Sequence, residues 1–212
     1  MTTKQTYFAA LFFSFVPGII NILGLKLCGV VLTNVTGHYS GLVQQIEMAT
    51  WHDALRISSY ISIYWLGSVF SSTCFIIGNK KGNPILKAIP TLTNLCIMLL
   101  TINLGTIPIS MFFLATSVQN SFGANHSKNE IRPSQITGVV MASGLDFAKY
   151  FFSDATKAIK KTIMSSFITK TLNILGFVLG GITAYYFTTV YILWIPVIFY
   201  SVVSYLIIKQ KI

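Results

Sequence analysis

Long apolar runs separated by short connectors set the pattern of this chain. Crossing about 30 Å of hydrocarbon takes roughly 20 mostly apolar helical residues, and six stretches meet that need, at about 7–25, 54–78, 85–104, 107–125, 163–185 and 189–208. Each is predicted to be a crossing helix. The first follows Lys4 but is long for the apolar part of a signal peptide and is followed by no small-x-small cleavage site, so it is read as a span. Two further segments, about 27–50 and 129–152, are apolar only in part, because LCGVVLTNVTGHYSGLVQQIEMA and RPSQITGVVMASGLDFAKYF carry Asn, Thr, Gly and His or Gln near their middles. Polar, glycine-broken backbone survives at membrane depth only where it is buried in protein or lines a wet cavity.

The 15 Lys and Arg decide whether these two segments cross. If both cross, the two sides of the membrane collect 9 and 6 of them, a poor bias. If both turn back on themselves, 13 gather on one side, Lys128, Lys157, Lys160, Lys161, Lys170 and Lys211 among them, and only Lys26 and Arg56 lie on the other. Cytoplasmic flanks carry the excess of positive charge. The expected architecture is therefore an all-α polytopic membrane protein with six crossing helices, two interrupted re-entrant helices and both termini in the cytoplasm.

Composition agrees, since 53% hydrophobic and 9% charged residues lie far from the soluble average of about 25% charged. The net charge of +10 sits in connectors between apolar runs, so it is read as membrane topology and not as a nucleic-acid surface. Cys28, Cys74 and Cys96 all lie in apolar stretches with no metal-ligand spacing, which argues against a disulfide framework or a zinc site. No nucleophile elbow, phosphate-cradling loop, His-Glu-x-x-His or intramembrane acid pair is found, so neither enzyme activity nor a cofactor or metal is expected.

The two halves repeat one order of features. SFVPGIIN, TNVTGHYSGL and WLGSVF in the first half are matched by FLATSVQN, SQITGVVMASGL and ILGFVL in the second. Asn21 aligns with Asn120 at an offset of 99, Thr36-Gly37 with Thr137-Gly138 at 101, and Leu66-Gly67 with Leu175-Gly176 at 109. Each repeat, 1–105 and 106–212, contributes three crossings, and an odd number puts the halves in opposite orientations. That is the inverted 3+3 plan known from channels and secondary transporters.

Gly18-x-x-Asn21 in the first span, the break Asn34-Val35-Thr36-Gly37, Gln119-Asn120 late in the fourth crossing, and Thr137-Gly138 together resemble the YoaK-type family of bacterial inner-membrane proteins, a domain of unknown function. The resemblance covers nearly the whole chain. It implies the fold and a location in the bacterial inner membrane, but no activity. Asn21 stands where that family's pattern has Asp, and His38 where it has Asn, so a property that needed the Asp would be altered or lost here.

Polar groups inside a membrane are costly and mark functional sites, although bonding to a neighbouring helix is the commoner use. The candidate solute-binding set is Asn21, Asn34, Thr36, Gly37, His38, Gln119, Asn120, Thr137 and Gly138. At the two Thr-Gly pairs the chain is expected to reverse, with Gly permitting unusual backbone and Thr capping the helix that leaves. Asn21 and Asn120 serve equally as helix caps near span ends, and His38 as a hydrogen-bonded structural residue. Asp146 is expected near the cytoplasmic interface, on a solvated face with Lys149 and Asp154, while Lys157, Lys160 and Lys161 would meet anionic lipid. The spacing Gly176-x-x-x-Gly180 reads as close helix packing.

The resulting expectation is a small-solute transporter or channel, and its rival is a non-transporting scaffold or assembly factor. Expected partners are the lipid bilayer, an unidentified small solute and other copies of the chain in a homo-oligomer, because six short spans leave little surface for a monomeric two-domain rocker. Helices leaving the breaks, about 38–50 and 139–152, would aim their positive ends at the midplane with no acid in their first turns. That favours an anionic or neutral solute.

Overall fold

The computed structural model describes residues 3–127, 130–187 and 189–210. They form α1 (Thr3–Cys28), α2 (Val35–Glu47), α3 (Trp51–Lys81), α4 (Pro84–Leu104), α5 (Ile109–His126), α6 (Ile136–Phe152), α7 (Lys157–Tyr186) and α8 (Trp194–Ile208), the last entered through a 3₁₀ turn at Val190–Leu193. No strand occurs among the described residues. Lys128 and Lys211, two cations expected on the cytoplasmic side, lie outside them.

Among the described residues, five elements are long and apolar enough to cross a membrane: α1, α3, α4, α7 and the unit 190–208. The sixth expected span, α5, does not reach that apolarity, and packing explains why. Ten of its 18 residues are buried, Thr116, Ser117, Gln119 and Asn120 among them, so its polar side chains meet protein rather than lipid. The large apolar side chains left exposed, such as Phe8, Trp65, Ile76 and Ile198, lie on the outer faces of the long helices.

Two buried clusters fix the helix directions. One joins Ala10 and Phe13 of α1 and Ala88 of α4 to Phe122 of α5 and Val203 and Ile207 of α8. The other joins later residues of α1 and α4 (Ile19, Ile20, Leu23, Ile97, Met98) to early residues of α5 and α8 (Phe112, Phe113, Val197). Hence α1 and α4 run one way and α5 and α8 the other. Meanwhile α7 lies parallel to α1, with Tyr7 donating to Ser165 Oγ at 3.2 Å toward one end and Lys26 to the Tyr185 carbonyl at 2.9 Å at the other. Likewise α3 lies parallel to α5, with Ser68 against Ser121 at 2.7 Å and Asn125 donating to Ser72 at 3.2 Å. First-half helices thus pair with second-half helices.

Glycine makes the α1–α7 contact possible. A Cβ on Gly176 would collide with the Leu11 carbonyl, and one on Gly180 with that of Phe15, as the small-residue spacing predicts. The tight α3–α4 hairpin turns on Gly82 at φ 61°, followed by Asn83, which accepts from the amides of Ile85 and Leu86 at 2.9 and 3.4 Å.

Between the long helices lie two short ones. With 13 and 17 residues, α2 and α6 are about 20 and 26 Å long at ~1.5 Å per residue, less than the hydrocarbon thickness. No residue of α2 is buried, and in α6 only Val139 is. A non-helical stretch precedes each, 29–34 and 130–135. This corrects the expected place of the reversal. Thr36-Gly37 and Thr137-Gly138 sit inside the first turns of α2 and α6, both helices start three residues earlier than expected, and neither glycine has positive φ. In the first break the left-handed residue is Gly29 at φ +67°, and the capping residue is Asn34, which accepts from the Gly37 amide at 3.0 Å.

Candidate functional site

An asparagine of the preceding long helix holds each break. Asn21 Oδ1 accepts from the Thr33 amide at 3.2 Å and the Thr33 hydroxyl at 2.8 Å. Asn120 Oδ1 accepts from the Ser134 amide at 2.9 Å, while its Nδ2 lies 2.6 Å from Ser134 Oγ. A backbone amide in a non-helical stretch has no helical partner, and the two side chains supply one. Asn120 also donates to Tyr64 Oη at 2.7 Å. The Asn pair expected from the repeat therefore does the same work twice.

Both breaks open on one cavity of about 540 Å³, to which Asn21, Thr33, Asn34 and Thr36 contribute from one side, and Ser134, Gln135, Thr137 and Gly138 from the other, with Tyr64 and Phe177 between. Five of the nine sequence-chosen residues (Asn21, Asn34, Thr36, Thr137, Gly138) meet there. The hydroxyls of Thr36 and Thr137 bond to no described residue. The first turn of neither α2 nor α6 carries an acid, and the cap of α6, Gln135, makes no side-chain cap bond. Free hydroxyls and amide N–H groups at a polar cavity are the groups a hydrogen-bonding solute would use.

The other four chosen residues lie apart from that cavity. Gly37 backs onto the Asn34 amide, which a Cβ would meet at 2.7 Å. His38 Nε2 lies 3.0 Å from the Val31 carbonyl, and its ring meets Phe113 edge-on at 4.8 Å, so it ties α2 to the loop before it and to α5. Gln119, 1% exposed, donates to the Phe13 carbonyl and accepts from Tyr200 Oη, both at 2.7 Å. Asn94 extends that bracket by donating to Tyr200 Oη at 3.2 Å and the Ala115 carbonyl at 3.1 Å. Asn120 faces a neighbouring cavity of about 340 Å³ with Tyr64, Gln135 and Arg132. Tyr64 and Gln135 border both spaces.

A third cavity, about 410 Å³, adjoins the first through Gly138 and is lined by Glu130, Arg132 and Lys170. Here the structure corrects one expectation. Lys170, within the expected crossing at 163–185, lies 13 residues into α7, and Asp146 is not on a solvated face with Lys149 and Asp154. The two form an ion pair, with side chains only 15% and 14% exposed. Lys170 also donates to Ser166 Oγ at 2.8 Å, and Ser166 to Glu130 Oε2 at 2.9 Å. Sequence reasoning passed over Glu130, Arg132 and Lys170 because Arg132 and Lys170 served only to assign the topology and Glu130 was not weighed. The signal available was the depth of Lys170 within an otherwise apolar run. A further cavity, about 860 Å³, lies at the start of α7 among Lys157, Lys160 and Lys161 with Tyr7 and Tyr150.

Comparison with curated proteins and with solved structures finds no match. The model of one family, described as "Protein of unknown function (DUF1275)", matches residues 9–206, from the second turn of α1 to the last turn of α8. This is the unknown-function standing that the sequence resemblance implies, and the chain belongs to that family.

Proposed function

We propose that this membrane protein is a small-solute transporter or channel whose site is the cavity between the two broken segments, with an anionic or neutral solute favoured and no chemistry performed on it. The observation that carries the reading is the shared lining: Asn21, Asn34 and Thr36 from one half and Gln135, Thr137 and Gly138 from the other face one space of about 540 Å³. A scaffold needs packed breaks, whereas these leave unpaired hydroxyls at a polar hollow, and polar cavities at membrane depth mark solute paths.

Helix direction supports the re-entrant topology. Since α1 is antiparallel to α5 and α5 parallel to α3, α1 and α3 are antiparallel, and α2 between them adds no net crossing. The same reasoning applies to α6 between α5 and α7. Lys170 bonded to Asp146, and Phe147 6.0 Å from Phe167, put α6 antiparallel to α7, as a segment returning to its own side must be. With the positive-inside distribution, the termini, Lys81 and Lys157 fall in the cytoplasm of a bacterial inner membrane.

The inverted repeat finds support in equivalent contacts. Asn21 with Thr33 and Asn120 with Ser134 correspond, as do Gly67 facing the Leu114 carbonyl and Gly180 facing that of Phe15. Phe15 and Leu114 are separated by 99, as are Asn21 and Asn120. This register matches Gly67 with Gly180, one turn beyond the Gly176 suggested by the Leu-Gly dipeptide.

The test is light-scattering flux in proteoliposomes against small neutral, anionic and cationic solutes. Uptake of a neutral or anionic solute, abolished by Gly138→Leu while the folded yield is kept, is the expected result. Selective cation movement blocked at Thr36 or Thr137 would reverse the sign, and no flux of any solute would leave the scaffold reading. Single-cysteine variants in a Cys28, Cys74 and Cys96-free background should label from outside at Thr106 but not at Ser127 or Lys157. Labelling at Lys157 alone would mean that α6 spans.

A further inference from the structure

The charges around the third cavity divide into a satisfied pair and an unsatisfied one. Lys170 is neutralised by Asp146. Glu130 has a serine hydroxyl as the partner of its carboxylate, Ser166 at 2.9 Å, and no cation within ion-pair distance among the described residues. Arg132, two residues on, has no carboxylate within that distance among them either. Both line the same cavity, which the first turn of α6 also borders at Gly138 and Val139. A carboxylate and a guanidinium, neither ion-paired among the described residues, therefore face a single space at the entrance to the broken segment.

We infer that this cavity binds a small zwitterion, a molecule with one carboxylate and one ammonium group on a short carbon frame. Its carboxylate meets the Arg132 guanidinium, a planar fork that suits two carboxylate oxygens, and its ammonium meets Glu130. A simple anion would satisfy Arg132 but face the Glu130 charge, and a simple cation would do the opposite. Only a zwitterion completes both and leaves the net charge of the site unchanged. Gly138, shared with the Thr-Gly cavity and with no atom within 4 Å of an added Cβ, leaves the way between the two spaces open. The inference rests on the solute-path reading for its purpose, and it narrows "anionic or neutral" to a net-neutral solute carrying both charges.

Binding to the native state raises apparent stability, so the test is thermal unfolding of the detergent-purified full chain with glycine, alanine or glycine betaine, and with sodium acetate or methylammonium chloride as the separate halves. At least one zwitterion should raise the midpoint by several degrees, and neither half alone should. Glu130→Gln and Arg132→Gln should each raise the half-saturating concentration at least tenfold, and the exchange Glu130→Arg with Arg132→Glu should recover part of the loss, which a merely destabilised fold would not. A shift with acetate that persists in Glu130→Gln would overturn the inference in favour of a plain anion site, and so would the failure of all three zwitterions. Binding without glycine entry into proteoliposomes leaves this site standing and removes the transport reading. Flux of another solute without zwitterion binding does the reverse.

Discussion

The two breaks share a plan but differ in how firmly they are held. At the first, Asn21 supplies two bonds to Thr33, Asn34 caps α2, and the facing aromatic is Phe177, which offers no hydroxyl. At the second, Asn120 is 6% exposed and bonds Ser134 twice and Tyr64 once, while Gln135 leaves the start of α6 uncapped. Both breaks are fastened at the helix they leave, by Asn21 and by Asn120, and the first is fastened also at the helix it leads into. Charge follows the same division: the first break is uncharged from Gly29 to Asn34, and the second carries Glu130 and Arg132. An inverted repeat with identical halves would bind symmetrically. Here the uncapped, charged side is the one with amide groups and ionic groups to spare, so the proposed solute chemistry is assigned to it and the first break is the more structural of the two.

The largest expected effect breaks this comparison at the asparagines. Asn120→Ala would strand the buried Ser134 amide and take one of its partners from the Tyr64 hydroxyl, at a cost of about 2 kcal/mol, since an unsatisfied buried group costs roughly 1–3 kcal/mol. Asn21→Ala, at a half-buried position with a single partner residue, should cost about 1 kcal/mol. Reversible unfolding in mixed micelles measures both, and equal losses would show that the two breaks are fastened alike.

The glycines should respond with opposite signs. Gly37→Ala puts a Cβ 2.7 Å from the Asn34 amide nitrogen, displacing a cap whose loss costs about 1 kcal/mol. Gly138→Ala meets no atom within 4 Å and replaces a helical glycine, a gain of up to about 0.8 kcal/mol. Destabilisation at both positions would mean that Gly138 packs against something its open surroundings do not suggest.

How far these differences could be read from sequence follows from where each interaction lies. The long helices, the short α2 and α6, and a role at the breaks for Asn21 and Asn120 were legible, because lipid imposes a length and an apolarity on any crossing helix and polar groups among apolar runs stand out. The non-helical segment and its fastening were displaced by a few residues, since Thr-Gly looks like a turn but Asn34 and Gln135 occupy the capping positions. Gln119 resembled its neighbour Asn120, yet one turns to the core against Phe13 and Tyr200 and the other to Ser134, a choice set by the rotation of α5 against α1 and α3. The pairing of Lys170 with Asp146 needed the antiparallel contact of α6 and α7, which no local pattern encodes.

The smallest effect expected tests the uncapped start of α6 directly. Asn34 and Gln135 have similar backbone angles, φ −100° and ψ 75° against φ −85° and ψ 54°, so the position itself accepts a cap. What Gln135 lacks is reach of the right length: with one more methylene its amide oxygen misses the Gly138 N–H that the shorter side chain at Asn34 captures three residues on in α2. Gln135→Asn should therefore create the missing bond and stabilise the fold by about 0.5–1 kcal/mol, read as a small rise in unfolding midpoint. The same substitution consumes an N–H that faces the cavity, so solute binding should weaken as stability rises. A variant that is stabilised with binding unchanged would show that the solute does not use the α6 amides, and would move the charged recognition wholly onto Glu130 and Arg132.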